Sequence, residues 1–191
     1  MKLATATLEE CFERFVRLPY AASAHKMEAL DAYSVTAETE ALGIFRERLA
    51  GRFTRTLPER SVRTSPWLAR IQETSLAGKA WSRTRVCGWP PTEYQRFQFA
   101  YGYPPSIEAG EVIRVADKTE HPELAELDEF WLFDAEGPEP YAALLDYDDS
   151  GAWLGCRVTD DPDVISRCQD QVQLAAHFAV PLDVFLSRHG D

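Results

Sequence analysis

The sequence predicts an α+β fold, a single domain in which a five- or six-stranded, largely antiparallel sheet is flanked by N-terminal and C-terminal helices. Three observations predict it. Residues 1–79 are mainly helical in their apolar spacing, residues 80–158 alternate with period two, and residues 161–189 return to helical spacing. Helices grouped around a run of strands are typical of this fold class. The length of 191 residues fits one domain.

Helices are predicted where a capping residue precedes apolar residues spaced three or four apart. Ser65 followed by Pro66 is such a start, with a hydroxyl at the cap and proline in the first turn. Asp161 followed by Pro162 is another. The predicted helices begin at Thr7, Thr36, Ser65 and Asp161, and a short last helix covers Leu182–Arg188.

Strands are predicted where apolar and polar residues alternate. Glu129–Phe133 is apolar on both faces, so we expect a central strand that is covered on both sides. Asp148–Gly151 has the composition of a hairpin turn. Met27–Val35 is a weaker strand pattern. The other predicted strands are Ala80–Gly88, Glu93–Tyr101, Gly110–Ala116, Tyr141–Tyr147 and Ala152–Val158.

Composition excludes several protein classes. Apolar residues make up 45% of the chain, which is too many for a disordered protein. No apolar run approaches the ~18 residues of a membrane span, and no secretory leader is recognisable, so we expect a cytoplasmic protein without membrane contact. The cysteines and histidines are scattered, and the usual local motifs for metals, nucleophiles and phosphates are missing. No cofactor is predicted.

The net charge of −11 hides a strong asymmetry along the chain. Residues 1–100 carry 15 basic and 11 acidic side chains, whereas residues 101–191 carry 5 basic and 20 acidic ones. Eleven of the cations lie between Arg46 and Arg96, and ten of them are arginine, whose planar fork of donors suits phosphate and carboxylate. One interpretation is a face for an anionic ligand or partner. The other is that the acidic half folds back and pairs with these arginines.

Strand periodicity gathers part of this charge on one face. Arg83 and Arg85 are two residues apart, as are Tyr94 and Arg96, so each pair shares a face of its predicted strand. Guanidinium groups on one face repel each other unless anions separate them, and either the protein or a ligand must supply those anions. The residues predicted to bind the ligand are Arg83, Arg85, Tyr94, Arg96, Arg114 and Trp131.

Two carboxylates are candidates for acid–base chemistry. Glu111 shares a face with Ile113 and Val115, and a carboxylate on an apolar face must be paired or its pKa rises. A structural interpretation is that Glu111 bonds an arginine or backbone amides. Asp134 ends the aromatic strand, where it could supply an anion to the arginine face or simply begin a turn.

The chain also resembles an uncharacterised actinobacterial family that is known as a domain of unknown function. The resemblance runs from about Phe12 to Phe185, and its most specific parts are Ala109–Arg114 (AGEVIR) and Asp128–Asp134 (DEFWLFD). The family's usual asparagine ahead of Ala-Gly-Glu is missing, and Pro104–Ser106 stands there. The resemblance implies a link to helix-turn-helix regulators and to specialised metabolism.

Three functions compete. The first is a binding or regulatory accessory protein that recognises an anionic small molecule or an acidic partner through the arginine face. The second is a small biosynthetic enzyme, for example a transferase that uses aminoacyl-tRNA or a phosphorylated substrate, with Glu111 or Asp134 as the acid or base. The third is a homo-oligomer whose basic half meets the acidic half of its neighbour. DNA is disfavoured, since the acidic half would repel it.

Overall fold

A seven-stranded mixed sheet forms the centre of the described chain. The computed structural model describes residues 20–52 and 55–189. The sheet order is β6-β5-β4-β1-β2-β3-β7; β1, β2 and β3 run parallel, and the other neighbouring pairs are antiparallel. The strands are β1 (Ser23–Glu28), β2 (Ala80–Cys87), β3 (Glu111–Asp117), β4 (Phe130–Phe133), β5 (Tyr141–Tyr147), β6 (Trp153–Thr159) and β7 (Val180–Pro181).

The predicted α+β class with mostly antiparallel pairing is confirmed, and the strand count is not. Apart from the weak pattern at Met27–Val35, the sequence predicts five or six strands, and the sheet has seven among the described residues. The two-residue β7 is too short to show a period. The predicted strand at Met27–Val35 begins earlier, at Ser23, and ends at Glu28.

The helices of the described chain lie between the strands and after the last hairpin. Ser65 and Asp161 cap helices as predicted, their side chains accepting from the backbone amides of Leu68 and Asp163. The first predicted helix lies outside the described residues. The helices are α1 (Thr39–Leu49), α2 (Pro66–Leu76), α3 (Glu93–Phe97), α4 (Tyr103–Glu108), α5 (Pro162–Phe178) and α6 (Leu182–Arg188). None of the described helices combines the length and apolar character needed to cross a membrane.

The prediction of a strand at Glu93–Tyr101 is wrong. These residues form α3 and most of a π-helical turn, Gln98–Gly102, which continues into α4. The cause is local, because Thr92 and Gln95 form a capping box in which each side chain accepts from the other's backbone amide. The aromatic alternation of this segment therefore does not reflect a pleated strand.

The sheet has two unlike faces. One packs against α5 through an apolar core that includes Met27, Val86 and Phe130. The other meets α2, where Leu68 and Ile71 pack against tryptophans of the sheet. Charged side chains of β1, β2 and β3 lie on this second face, which we call the inner face and which carries the candidate site.

Candidate functional site

Alternation and register place the charged residues side by side on the inner face. In the parallel pairing of β1 with β2, Lys26 lies opposite Arg83 and Glu28 lies opposite Arg85. Glu111 at the start of β3 lies opposite Trp81, which is two residues before Arg83 on β2 and shares its face. Residues that are partners across a sheet project from the same face. The fold therefore brings three cations and two carboxylates together from three neighbouring strands.

Arg83 is the centre of the resulting ionic network. Its Nε donates to Glu111 Oε1 at 2.8 Å, and its Nη1 donates to Glu28. Its guanidinium also lies over the rings of Tyr103 and Trp131, 5.5 and 5.9 Å from their centroids. The structural interpretation of Glu111, an ion pair with an arginine, is confirmed. The protein itself supplies the anions that the predicted arginine face requires.

Glu129 anchors a second part of the network. Lys26 Nζ donates to Glu129 Oε2 at 2.8 Å. Glu129 Oε1 accepts from the hydroxyl of Tyr33 at 2.6 Å and from the backbone amides of Ala29 and Leu30. This carboxylate fixes the chain as it leaves β1, and so it positions the loop that follows.

Two tyrosines connect the network to the loop after β1 and to helix α4. Tyr103 of α4 donates to Glu28 Oε2 at 2.6 Å. Arg85, which is completely buried, donates to the Tyr33 hydroxyl at 3.3 Å. The buried charges are thus cross-linked to both the sheet and the helices.

Burial and neighbouring charge shift the pKa values of these groups in opposite directions. Burial alone would raise the pKa of Glu28, but Arg83, Arg85 and Lys26 outweigh it and lower that pKa below its usual value. Burial, followed by the charge of Glu28, raises the pKa of Tyr103 well above its usual range. Glu28 is therefore a carboxylate at neutral pH, and Tyr103 is a protonated donor.

A cleft of about 780 Å³ opens above the network. Lys26, Glu28 and Arg83 form what we call the floor. Glu38 and Arg60, from the segments on either side of α1, form what we call the mouth. The walls are rich in aromatic side chains, namely Tyr33, Trp67, Tyr94, Tyr103, Trp131, Tyr147 and Trp153.

One wall of the cleft is a stripe along α3, the π turn and α4. Tyr94, Gln98, Gly102 and Ser106 recur every four residues and all line the cleft. Gly102 and Ser106 are small, so they leave room beside the longer side chains. A Cβ added at Gly102 would meet only Gln98, at 3.8 Å or more.

The structure brings some of the residues predicted to bind the ligand or to act as acid or base together and separates others. Arg83, Tyr94 and Trp131 line the cleft, while Arg85 and Glu111 lie buried outside its lining. Three predicted residues, Arg96, Arg114 and Asp134, do not line it.

These three placements have separate causes. Arg96 is exposed on α3, because its segment is helical and not a strand. Arg114 lies opposite Thr84 and so projects from the other face of the sheet, where its Nε donates to the Ala179 carbonyl. Asp134 accepts from the backbone amides of Ala21, Ala22 and Ser23, which makes it a structural clamp at the end of β4.

Sequence reasoning missed Lys26, Glu28, Gln98, Tyr103 and Glu129. For Lys26 and Glu28 a signal was present, since both alternate with Met27 in a short run that also holds Ala24. Gln98 and Tyr103 could be found only once the segment was read as a helix. No local pattern marks Glu129, whose partners are about 100 residues away.

Among the described residues, the arginines between Arg46 and Arg96 pair mainly with carboxylates of the first hundred residues and not with the acidic half. Arg46 pairs with Glu93, Arg55 with Glu40, and Arg60 with Glu38. The pair between Arg83 and Glu111 reaches into the acidic half.

Comparison with known proteins gives a family but no activity. No curated protein and no solved structure matches the chain. One family model, described as Domain of unknown function (DUF6879), matches residues 9–187. The chain therefore belongs to the DUF6879 family, a domain of unknown function.

Proposed function

We propose that the protein binds a small organic ligand in the cleft, with a planar body against the aromatic walls and an anionic group at Arg60. The observation that carries the proposal is an aromatic-walled cleft of about 780 Å³ that ends on a hydrogen-bonded ionic floor. Ligand sites are usually apolar concavities of roughly 300–1,000 Å³ with a few fixed polar groups. The cleft has these properties.

The walls favour a planar ligand. Trp67, Trp131 and Trp153 line the cleft together with tyrosines, and Trp67 and Trp131 pack edge to face with ring centroids 5.7 Å apart. Aromatic side chains offer large contact areas and prefer stacked or edge-to-face partners. A flat ring system uses such walls better than a branched aliphatic chain does.

Arg60 is the best place for an anionic group. Arg83 and Lys26 each contact a carboxylate of the protein at 2.8 Å or less. Arg60 Nη1 is 3.7 Å from Glu38 Oε1, and its buried Nε has no hydrogen-bond partner among the described residues. Of the cations that line the cleft, Arg60 therefore has the weakest internal pairing.

The floor favours a binding or regulatory accessory role over catalysis. Its charged groups are all paired within the protein, Lys26 with Glu129 and Arg83 with Glu28 and Glu111, and they form a surface on which a ligand can rest. A protein that changes its stability or contacts when the cleft fills could report the ligand to a partner, for example a transcription regulator.

A blocked cleft tests the proposal. Gly102→Leu adds a side chain to the cleft wall, whereas Gly43→Leu adds the same side chain on α1, where a new Cβ meets nothing within 4 Å. We expect 2-naphthoate to quench tryptophan fluorescence in wild type and in Gly43→Leu, with binding lost in Gly102→Leu. Equal binding by all three proteins, or by none across a panel of planar aromatic acids, would overturn the proposal.

A second candidate function is catalysis, and one contact favours it. Glu28 and Tyr103 both line the cleft and share a 2.6 Å hydrogen bond, an arrangement that could pass a proton to a bound substrate. In an enzyme, Tyr103→Phe would keep ligand binding and abolish turnover. The aminoacyl-tRNA version predicts binding of bulk tRNA that weakens steeply between 50 and 300 mM salt, on the order of a hundredfold for several phosphate contacts.

A further inference from the structure

Gln98 is the polar side chain of the cleft wall that the proposed function leaves unexplained. It lines the cleft and is 6% exposed. Its Oε1 is buried and accepts no hydrogen bond from the described part of the chain. Buried polar atoms are nearly always paired, so an unpaired amide oxygen beside a cleft needs an explanation.

Gln95 provides a direct comparison on the same helical segment. It is 1% exposed, and both ends of its carboxamide are paired: Oε1 accepts from the Thr92 amide at 2.8 Å and Nε2 donates toward Asp31 at 3.5 Å. The two buried glutamines therefore differ at their side-chain carbonyl oxygens. That of Gln95 accepts a hydrogen bond within the capping box, whereas that of Gln98 accepts none from the described residues.

The backbone around Gln98 is also unusual. Gln98 begins the π-helical turn that ends at Gly102. Single π turns inside helices are rare and are frequent at functional sites. Tyr94, Gln98 and Gly102, four residues apart, line the same cleft, and Gly102 places no side chain beside the Cβ and Cγ of Gln98.

A carboxamide can form hydrogen bonds with a ligand edge that carries a donor next to an acceptor. It carries an acceptor and two donors side by side, and rotation about its last bond exchanges their positions with little other movement. A ligand whose N–H stands next to its C=O can form two hydrogen bonds with such a group. Glutamine and asparagine use the same geometry when they bind the edge of a base.

We propose that Gln98 is the specificity-determining residue of the cleft and that it selects planar ligands with a lactam edge, an N–H adjacent to a C=O. This inference rests on the proposed function, since it assumes that the cleft holds a ligand. The tryptophans of the cleft walls contact the planar ring of the ligand, and the carboxamide of Gln98 forms hydrogen bonds with its lactam edge. Ligands of the same shape without the N–H leave the acceptor of Gln98 unpaired and bind less well.

The test compares two probes that differ in one group. We expect 2-quinolinone to bind wild type about tenfold more tightly than N-methyl-2-quinolinone, which lacks the donor, in titrations followed by ligand-observed NMR. Gln98→Leu should bind both probes equally, at the affinity of the methylated one. Equal affinities in wild type, or a preference that survives in Gln98→Leu, would overturn the assignment.

Stability measurements separate this role from a structural one. Gln98→Leu should leave Tm unchanged or raise it, because the buried acceptor that it removes has no partner among residues 20–52 and 55–189. Gln95→Leu should lower Tm, because it breaks the capping box. A large loss of Tm in Gln98→Leu would make Gln98 a structural residue and contradict the proposal.

The two proposals fail in different ways. If 2-naphthoate binds and is excluded by Gly102→Leu while both quinolinones bind alike, the cleft is a ligand site and only the role of Gln98 is wrong. If neither quinolinone nor 2-naphthoate binds to wild type, the cleft proposal and the Gln98 assignment are both wrong.

Discussion

The floor and the mouth of the cleft contain the same grouping of side chains in two different environments. At the floor, Glu28 accepts from Tyr103 at 2.6 Å and pairs with Arg83. At the mouth, Glu38 accepts from Tyr94 at 2.7 Å, but its arginine is 3.7 Å away. The two arginine side chains are 12% and 26% exposed, respectively.

The difference separates a rigid part of the site from an adjustable one. Buried ion pairs are costly to break, since removing one partner leaves the other charged and unsolvated. Pairs that water can reach contribute little and can rearrange. We therefore expect the floor to act on stability and the mouth to act on ligand binding.

The largest expected effect is at the centre of the floor. Arg83→Met leaves Glu28 and Glu111 without the cation that lies between them and should lower the free energy of unfolding by about 3–5 kcal/mol. Arg96→Met is the matched control, since Arg96 is exposed on α3. It should change the free energy of unfolding by less than about 0.5 kcal/mol. Denaturant titration measures both, and similar losses would refute the distinction between floor and surface.

The burial of His25, next to Lys26 on β1, also predicts a pH dependence. Burial, and then the charges of Arg83 and Lys26, lower the pKa of His25 from 6.5 to about 4. Between these two values unfolded His25 takes up a proton that folded His25 does not, so stability should fall as the pH falls from 6.5 to 4. The loss is at most about 3 kcal/mol. Thermal unfolding of wild type and His25→Gln across this range checks it, and an unchanged slope in His25→Gln contradicts it.

Glu28 predicts a further loss at lower pH. Because the folded pKa of Glu28 lies below the usual 4.5, its stabilising effect is complete above that value and decreases as the pH falls through the folded pKa. Glu28→Gln should therefore have a flatter stability profile below pH 4.5 than wild type. A profile parallel to that of wild type would show that the cations of the floor do not act on Glu28.

The two tyrosines provide a comparison with the same chemical change. Tyr103→Phe removes a donor from a buried carboxylate and should cost about 1–3 kcal/mol, while Tyr94→Phe should cost about 0.5–1.5 kcal/mol. Denaturation curves of the two variants rank them. The reverse order would mean that the mouth is the more constrained grouping.

The smallest effect on stability, and the clearest effect on binding, is expected at Arg60. Arg60→Met should change the free energy of unfolding by less than about 1 kcal/mol. It should weaken binding of 2-naphthoate while leaving binding of its neutral amide nearly unchanged. Equal weakening of both would show that Arg60 shapes the cleft and does not bind the anion.

Sequence patterns predicted the sheet better than they predicted the site. Strands with a strict alternation or a continuous apolar run, such as β4, and helices with a strong cap, such as α2 and α5, follow from local spacing. Arg83 and Glu111 were found because a charge in an apolar strand is unusual at any position. The prediction of a strand at Glu93–Tyr101 is wrong, since the aromatic alternation of this segment also fits a helix that a capping box begins and a π turn extends.

The rest of the site depends on contacts that no local pattern shows. Glu129 bonds Lys26 and Tyr33, which are about 100 residues away in the chain. Arg114 lies on the other face because the register of β2 with β3 places it opposite Thr84, and no pattern within β3 itself shows that register. Register and topology, which decide faces, are properties of the whole sheet.

The central claim, that the cleft is a ligand site, is tested most directly by the indole signals of the five tryptophans. Trp67, Trp131 and Trp153 line the cleft, whereas Trp89 stacks on His189 and does not line it. In ¹H–¹⁵N spectra, titration with 2-naphthoate should shift the indole signals of the three cleft tryptophans and leave that of Trp89 in place. Shifts confined to Trp89, or none at saturating concentration, would contradict the account.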